Sequence, residues 1–145
     1  MVDFPQMFGK YELINRLAFG GMAEIFLAKM KGARGFERVV VIKRLLPQYS
    51  FDEEFIKMFQ DEARILSQLH HGNIVQVIEF DQVGDDFYLA MEYISGCDLR
   101  DLLLTLKNQQ ASAPYEHICF ILSELCQGLA YAHHFENIQI VHRDI

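Results

Sequence analysis

The sequence predicts an α+β fold in which an antiparallel sheet with one helix precedes a helical part. Three observations support this prediction. Short runs rich in aliphatic and aromatic residues, separated by turn-forming stretches, fill the first two thirds of the chain. An amphipathic helical pattern interrupts these runs after the third. From about Gly96 onward, two helical patterns replace the strand-like runs, so the class combines segregated strands and helices.

The strand-like runs predict a five-stranded sheet. Residues 1–10 carry Pro5 and Gly9 and are interpreted as an N-terminal arm. The runs YELINRLAF, EIFLAKMK and FERVVVIKRLL then follow one another, and consecutive strands of this kind form an antiparallel meander. Two further runs, VQVIEF and FYLAMEY, flank the turn DQVGDD as a hairpin.

The helix between the third and fourth runs has a defined start and one apolar face. Pro47 closes the third strand, and Ser50 to Glu53 fits a capping box that opens a helix reaching about Leu69. Its apolar positions recur at three- and four-residue steps: Phe55, Phe59, Leu66 and Leu69. Glu62 falls on the same stripe. A carboxylate that faces a core needs a partner, so this residue is a candidate for an ion pair.

The helical part is expected to begin at residue 96 and to run to residue 145. A short helix starts after Asp98, and a longer one spans Tyr115 to Phe135. One face of the longer helix is apolar, with Ile118, Leu122, Leu125, Leu129 and Ala132. We expect this stripe to be partly bare, and we therefore expect the chain to self-associate or to be unstable.

Composition excludes several classes of protein. At 145 residues and 51% hydrophobic, the chain can bury a core of its own. Its net charge of −7 repels nucleic acids and anionic membranes. Cys97, Cys119 and Cys126 are odd in number and lack C-x-x-C spacing, so we expect reduced packing residues and no zinc site. No apolar run reaches the roughly 18 residues of a membrane span, and no secretion signal opens the chain, so we expect a soluble, cytoplasmic protein.

Two features of the strand region carry candidate chemistry. Gly20 and Gly21, in the turn between the first two long strands, let the backbone approach a ligand and point N–H groups at phosphate oxygens. A plain tight β-turn is the alternative. Lys43 lies in a continuously apolar strand, where Glu62 would neutralise it if the helix packs on the sheet. The alternative is two solvated charges on unrelated faces.

The order of these features resembles the signature of protein kinases. It consists of the glycine turn, the strand lysine, the helix glutamate, the segment MEYI as a hinge and the triplet His142-Arg143-Asp144. From Tyr11 to the end of the chain, the residues of these motifs are similar to those of bacterial serine/threonine kinases of the eukaryotic type. The resemblance implies a kinase small lobe at 11–95, containing the glycine loop and hinge. It also implies the start of a helical large lobe at 96–145, cut off at the catalytic loop.

The resemblance also implies roles for individual residues. Lys43 would hold the α- and β-phosphates of ATP, Glu62 would orient Lys43, and Asp144 would take the proton of the substrate hydroxyl. A loop would cover the phosphates, formed by Leu17, Ala18, Phe19, Gly20, Gly21, Met22, Ala23, Glu24 and Ile25.

The adenosine part of ATP would be held by the strands and the hinge. Val41 would press on the adenine ring together with Ile25. Met91 would be the gatekeeper, although core packing alone explains an apolar residue there. The backbone of Glu92 and Ile94 would bind the adenine edge. Asp98 would reach the ribose, or would instead cap the helix that it begins.

The chain departs from the kinase pattern in two places. Ala18, Gly20 and Ala23 occupy the three glycine positions of the loop, and we expect the two methyl groups to stiffen the turn and weaken nucleotide binding. After Asp144 the catalytic-loop lysine and asparagine and the D-F-G motif are absent, so Mg²⁺ is expected only in a full-length kinase. We therefore expect the 145-residue chain to be inactive by itself.

Three functions are compatible with these patterns. The first is the ATP-binding part of a serine/threonine kinase, with ATP and a protein as its partners. The second is a non-catalytic kinase-like module that binds a partner through its bare helical face. The third, a structural protein unrelated to nucleotides, requires all five motifs to coincide by accident.

Overall fold

The computed structural model describes residues 4–135 and residue 140, and it contains six strands and three helices within that part of the chain. The strands are β1 (Gln6–Phe8), β2 (Tyr11–Phe19), β3 (Ala23–Lys31), β4 (Glu37–Leu45), β5 (Val77–Val83) and β6 (Asp86–Glu92). The helices are α1 (Glu53–Gln68), α2 (Leu99–Asn108) and α3 (Tyr115–His133). The expected α+β class is confirmed, because an antiparallel sheet and one helix precede the other two helices.

These elements form two compact units. The first contains the described residues up to His70 together with Val75–Tyr93, and the second contains His71–Ile74 and the described residues from Ile94 onward. All six strands and α1 belong to the first unit, whereas α2 and α3 belong to the second.

The sheet has the order β1-β2-β3-β4-β6-β5, and all neighbouring strands are antiparallel. The expected number of five strands is therefore wrong, because β1 lies in the segment interpreted as an arm. Phe8 pairs with Tyr11 across a turn in which Gly9 has a φ of +56°, a conformation that glycine adopts without strain. Phe8 is buried against the ring of Tyr88, which holds this short strand on the sheet.

Two apolar clusters lie on opposite faces of the sheet, because successive strand residues point to opposite sides. One cluster includes Phe8, Phe26 and Ile42 and lies on the face away from α1. The other joins α1 to the strands through Phe59, Leu45 and Leu89. Residues 43 and 44 of β4 consequently point to different clusters.

Helix α1 begins with a different cap from the one predicted. Asp52 is the N-cap, and its carboxylate accepts hydrogen bonds from the backbone N–H groups of Glu54 and Phe55, at 3.0 and 3.4 Å. Ser50, the predicted cap, is buried in the turn that follows Pro47, and its hydroxyl has no hydrogen-bond partner within the described residues. The prediction failed because both residues are cap formers two positions apart, and only the chain path decides between them.

The second unit buries little of its apolar surface. Gly128 is the one residue buried within α2 and α3, and it lies against Asn73. Cys97, Cys119 and Cys126 are exposed, so the expectation that they pack in a core is wrong. No helix in the described part of the chain combines the length and apolarity that crossing a bilayer requires.

Candidate functional site

Lys43 and Glu62 form a direct ion pair between the sheet and α1. The Nζ of Lys43 donates to Oε1 of Glu62 at 2.6 Å and to Oε2 at 2.9 Å. The side chains are 20% and 38% exposed, so water reaches both groups and neither is sealed in the core. The alternative of two solvated charges on unrelated faces is therefore wrong.

Helix packing brings these two groups together. Phe59 is fully buried against the sheet, and Glu62 follows it by three residues, which places both on the same side of α1. The Nζ of Lys43 lies 5.7 Å from the centre of the Phe59 ring, so the amine is held by a carboxylate and an aromatic face together. The apolar contact of α1 thus fixes the position of the charge.

The β2–β3 hairpin forms a loop that we call the flap, residues 17–25. The N–H of Gly20 donates to the carbonyl of Ala23 at 2.9 Å and closes the turn. Gly21 has no neighbouring atom within reach of an added Cβ, and neither glycine has a positive φ. The side chains of Leu17 and Phe19 are 47% and 63% exposed. The turn itself consists of Gly20, Gly21 and Met22.

The structure changes the interpretation of the missing flap glycines. Ala18 lies in β2 and Ala23 lies in β3, where it is 5% exposed. Both methyl groups are therefore on strand residues that flank the turn, and the expectation that they stiffen it stays a prediction. Their effect on nucleotide binding stays a prediction.

Lys43 shares its face of the sheet with several other predicted residues, including Ile25, Val41 and Met91. Ile25 is the cross-strand partner of Lys43, and Met91 is the partner of Val41. Cross-strand partners point to the same face, so these side chains line three adjacent strands. Met91 also packs against the apolar cluster under α1, as its core-packing alternative requires.

The hinge residues are divided between the units. The N–H of Glu92 donates to the carbonyl of Gln76 at 3.0 Å, and its side chain accepts from the N–H of Gln76 at 2.8 Å. Ile94 and Asp98 belong to the second unit. The Asp98 carboxylate accepts from the N–H of Asp101 at 2.7 Å, so Asp98 caps α2, as the alternative to a ribose contact predicted. The ribose contact stays a prediction.

Asp144, the predicted base, lies outside the described residues. Between residues 4 and 135, and at residue 140, no group of three or more histidine, cysteine, aspartate or glutamate side chains is arranged to hold a metal ion.

Sequence reasoning missed two charged clusters. One consists of Arg16, Glu24 and Arg44, which meet on the face of the sheet opposite Lys43. The alternation of side chains along β4 was the available signal, because it sends Arg44 to the other face.

The second missed cluster centres on Glu79. The hydroxyls of Tyr11 and Tyr88 each donate to its Oε1 at 2.7 Å, and Lys10 pairs with its other oxygen. Burial favours the neutral acid, but the hydrogen bonds from Lys10 and both tyrosines outweigh it and lower the pKa of Glu79. Burial and the nearby carboxylate raise the pKa of Tyr11 and of Tyr88 well above the ordinary tyrosine value.

Comparison with known proteins identifies the family. The model of the protein kinase domain family matches residues 11–145. The chain therefore belongs to the protein kinase family, as its motifs predicted.

The relatives include kinases named for two different acceptor specificities. The chain is 43% identical over its whole length to the tyrosine-protein kinase MasK of Myxococcus xanthus and spans 23% of that protein. It is 34% identical, over 94% of its length, to the serine/threonine-protein kinase PrkC of Bacillus subtilis and spans 20% of it. The chain thus spans about a fifth to a quarter of the length of these curated relatives.

Solved structures show the same fold. The chain aligns over its whole length with the PknI kinase domain of Mycobacterium tuberculosis, with a TM-score of 0.72 and 25% identity, and covers 55% of that domain chain.

Proposed function

We propose that this chain is the ATP-binding portion of a protein serine/threonine kinase, which transfers the γ-phosphate of ATP to protein hydroxyls. The observation that carries the proposal is the ion pair between Lys43 and Glu62. A lysine ammonium has three N–H donors, and Glu62 accepts from it with two oxygens. One donor is left for a phosphate oxygen, while the carboxylate fixes the direction of the amine.

The apolar residues beside Lys43 suit an adenine ring. Ile25, Val41 and Met91 are partly exposed aliphatic or thioether side chains on the same face as Lys43. Because the N–H of Glu92 is already bonded to Gln76, a backbone contact from this residue to adenine would use its carbonyl oxygen. Ile94 would supply the complementary contact. Asp98 would reach the ribose in addition to capping α2.

A nucleotide titration with matched lysine variants tests the site. We expect Lys43→Met to abolish measurable binding of a fluorescent ATP analogue, because the substitution removes the cation that faces the phosphates. Lys29→Met is the matched control, because Lys29 is an exposed lysine on the neighbouring strand that pairs only with Glu37 among the described contacts. Unchanged affinity in Lys43→Met would refute the proposed site.

The acceptor amino acid is the finer part of the proposal. Several relatives, including PrkC and the PknB of Mycobacterium leprae, are named serine/threonine-protein kinases, whereas MasK is named a tyrosine-protein kinase. The gene product, expressed whole and incubated with labelled ATP and Mg²⁺, is expected to yield phosphoserine or phosphothreonine on acid hydrolysis. Phosphotyrosine as the main product would overturn the serine/threonine assignment while leaving the kinase proposal in place.

The remaining expectations belong to the same proposal. Asp144 would act as the base for the acceptor hydroxyl. That the 145-residue chain binds nucleotide without transferring phosphate stays a prediction, as does its cytoplasmic location. The substrate is expected to be a protein.

A second candidate is a non-catalytic module that binds through its helices. The observation in its favour is an apolar groove of about 320 Å³ between α2 and α3, lined by residues that include Leu103, Ile118 and Leu122. Leu103 and Leu122 are 62% and 54% exposed. The ion pair at Lys43 favours the kinase proposal, because a pure binding module has no use for it. ATP binding that depends on Lys43 separates the two candidates.

A further inference from the structure

We propose that Glu24 is a positioning residue for the nucleotide: its carboxylate, held between Arg16 and Arg44, braces the flap from the face of the sheet opposite Lys43. This inference rests on the proposed ATP site and adds a part that does not itself touch the ligand. Its elements are one carboxylate, two guanidinium groups and the strands that carry them.

The carboxylate of Glu24 joins three strands. Its Oε1 accepts from Nη1 of Arg16 on β2 at 3.2 Å, and its Oε2 accepts from Nη2 of Arg44 on β4 at 2.8 Å. Glu24 itself lies on β3, between the two. The side chains of Glu24 and Arg44 are 12% and 16% exposed, so this pair is better shielded from water than the other ion pairs of the sheet. Shielding makes such charge-assisted hydrogen bonds stronger than surface pairs.

Arg44 is a rigid anchor for this brace. Its guanidinium group lies 5.6 Å from the ring centre of Phe8 and 5.0 Å from that of Phe26, both of which belong to the buried cluster. Its Nη1 is 3.6 Å from the carboxylate of Asp86 on β6. A guanidinium fixed by two rings and a second acid loses little conformational freedom when it binds Glu24.

The flap end of β2 is held on the same carboxylate. Arg16 pairs with Glu24 and also lies over the exposed ring of Phe19, at 5.5 Å, close to where the turn begins. Phe19 and Glu24 are cross-strand partners. The brace therefore spans both arms of the hairpin just before the turn.

The turn has support of its own on one side only. The N–H of Gly20 donates to the carbonyl of Ala23, and the carbonyl of Met22, whose side chain packs against the cluster under α1, accepts from the N–H of Leu46 at 2.9 Å. No atom of the described chain lies where a side chain at Gly21 would be. A loop ordered before binding costs less entropy when it closes on a ligand, and the brace adds to that order from the other face of the sheet.

The placement of Glu24 also suits an anionic ligand. Ala23 and Ile25 point to the face of Lys43, so Glu24 points to the other face with Arg44. A carboxylate on the ligand face would repel a triphosphate. Placed behind the sheet and neutralised by two arginines, it orders the flap without opposing phosphate binding.

The decisive variant is Glu24→Gln, which keeps the shape of the side chain and removes its charge. We expect affinity for the fluorescent ATP analogue to fall about fivefold, because a flap that is less ordered beforehand loses more entropy when the nucleotide binds. Backbone amide exchange at residues 20–23, measured without nucleotide, should become faster. Glu37→Gln is the matched control, because it breaks the exposed pair with Lys29 at the far end of the same two strands.

Arg16→Gln provides a second test of the brace, and comparison with Glu37→Gln shows which results would contradict it. Arg16→Gln should reproduce both effects in weaker form, since it removes the longer of the two contacts. The inference would be overturned if Glu24→Gln and Glu37→Gln had the same nucleotide affinity and the same rate of amide exchange in the flap. It would also be overturned if amide exchange in Glu24→Gln rose uniformly across the sheet. Should Lys43→Met leave affinity unchanged, the proposed function fails, whereas faster exchange confined to the flap in Glu24→Gln would still support the brace.

Discussion

The two compact units of this chain differ in how much apolar surface they bury. Every buried hydrophobic side chain of the described residues belongs to the unit that contains the sheet and α1. In the helical unit, nine large apolar residues are prominently exposed: Ile94, Leu99, Leu103, Leu104, Tyr115, Ile118, Phe120, Leu122 and Leu125. The first unit is therefore held by packing, whereas the helices of the second depend more on local signals such as caps.

This difference assigns separate tasks to the two units. The sheet unit has the rigidity to hold Lys43 at hydrogen-bond distance from Glu62, because both of its faces carry a packed cluster. The helical unit presents an apolar groove. Substitutions that are matched between the units show how far this contrast extends.

The largest effect is expected in the core under α1. Phe59→Ala should lower the free energy of unfolding by about 3–5 kcal/mol, because it leaves a cavity beneath the helix that carries Glu62. Denaturant unfolding followed by circular dichroism measures the change. Phe51→Ala, at a site that is 79% exposed, is the matched control and should change stability by less than about 0.5 kcal/mol. Equal losses from both would contradict the contrast.

The Glu79 cluster should give the next effect. Glu79→Ala leaves the hydroxyls of Tyr11 and Tyr88 buried without their acceptor, so we expect a loss of about 2 kcal/mol. The variant Tyr88→Phe removes one donor and should cost less. A loss below that of Tyr88→Phe would show that water replaces the carboxylate.

The same cluster predicts how stability depends on pH. Folding lowers the pKa of Glu79, so its contribution is present above the ordinary carboxyl value of about 4.3 and is lost as pH falls through the lower pKa of the folded state. Folding raises the pKa of Tyr11 and Tyr88, so stability falls once pH exceeds about 10, where the unfolded chain releases protons first. Thermal unfolding across this range should show a flatter acid limb in Glu79→Gln.

The helix caps allow a direct comparison between the units. Asp52→Ala and Asp98→Ala each remove a carboxylate that accepts from the first turn of a helix, and each should cost about 1 kcal/mol. The loss at Asp52 should appear in global unfolding, and the loss at Asp98 in local amide exchange of α2. Asparagine at either position should restore most of the stability that alanine removes. A fall in nucleotide affinity for Asp98→Ala that Asp98→Asn does not restore would add support for the ribose contact.

The smallest effect on stability is expected in the groove between α2 and α3. Leu122→Glu should change the free energy of unfolding by no more than about 0.5 kcal/mol, because the side chain is 54% exposed. If the chain self-associates through this groove, the substitution should still reduce its apparent mass in light scattering. Phe120→Glu on the same helix, outside the groove, is the control. Equal reduction by both would argue against the groove as the contact.

Much of the fold could be predicted from sequence because its elements have strong local signals. The five long strand runs, the three helices and the position of Glu62 on the stripe of α1 all follow from periodicity. The pairing of Lys43 with Glu62 was predictable because each charge was costly alone on an apolar face.

The errors share a physical origin in tertiary context. Strand β1 is three residues long, too short for a periodic pattern, and its pairing with β2 and the packing of Phe8 against Tyr88 are tertiary features. Asp52 replaced Ser50 as a cap because the path of the chain decided between two suitable side chains. The clusters around Glu24 and Glu79 join residues that are distant in sequence, and the register that brings them together emerges only when the sheet forms.

The adjacency of Lys43 and Arg44 makes this protein sensitive to the length of the β3–β4 connection. These neighbours project in opposite directions, so a slip of one residue along β4 would exchange them and leave a guanidinium where the amine belongs. Insertions between Gly32 and Phe36 should be tolerated only when the bulge they create stays outside the ladder. The length of this surface loop would thus decide which cation lies beside Glu62.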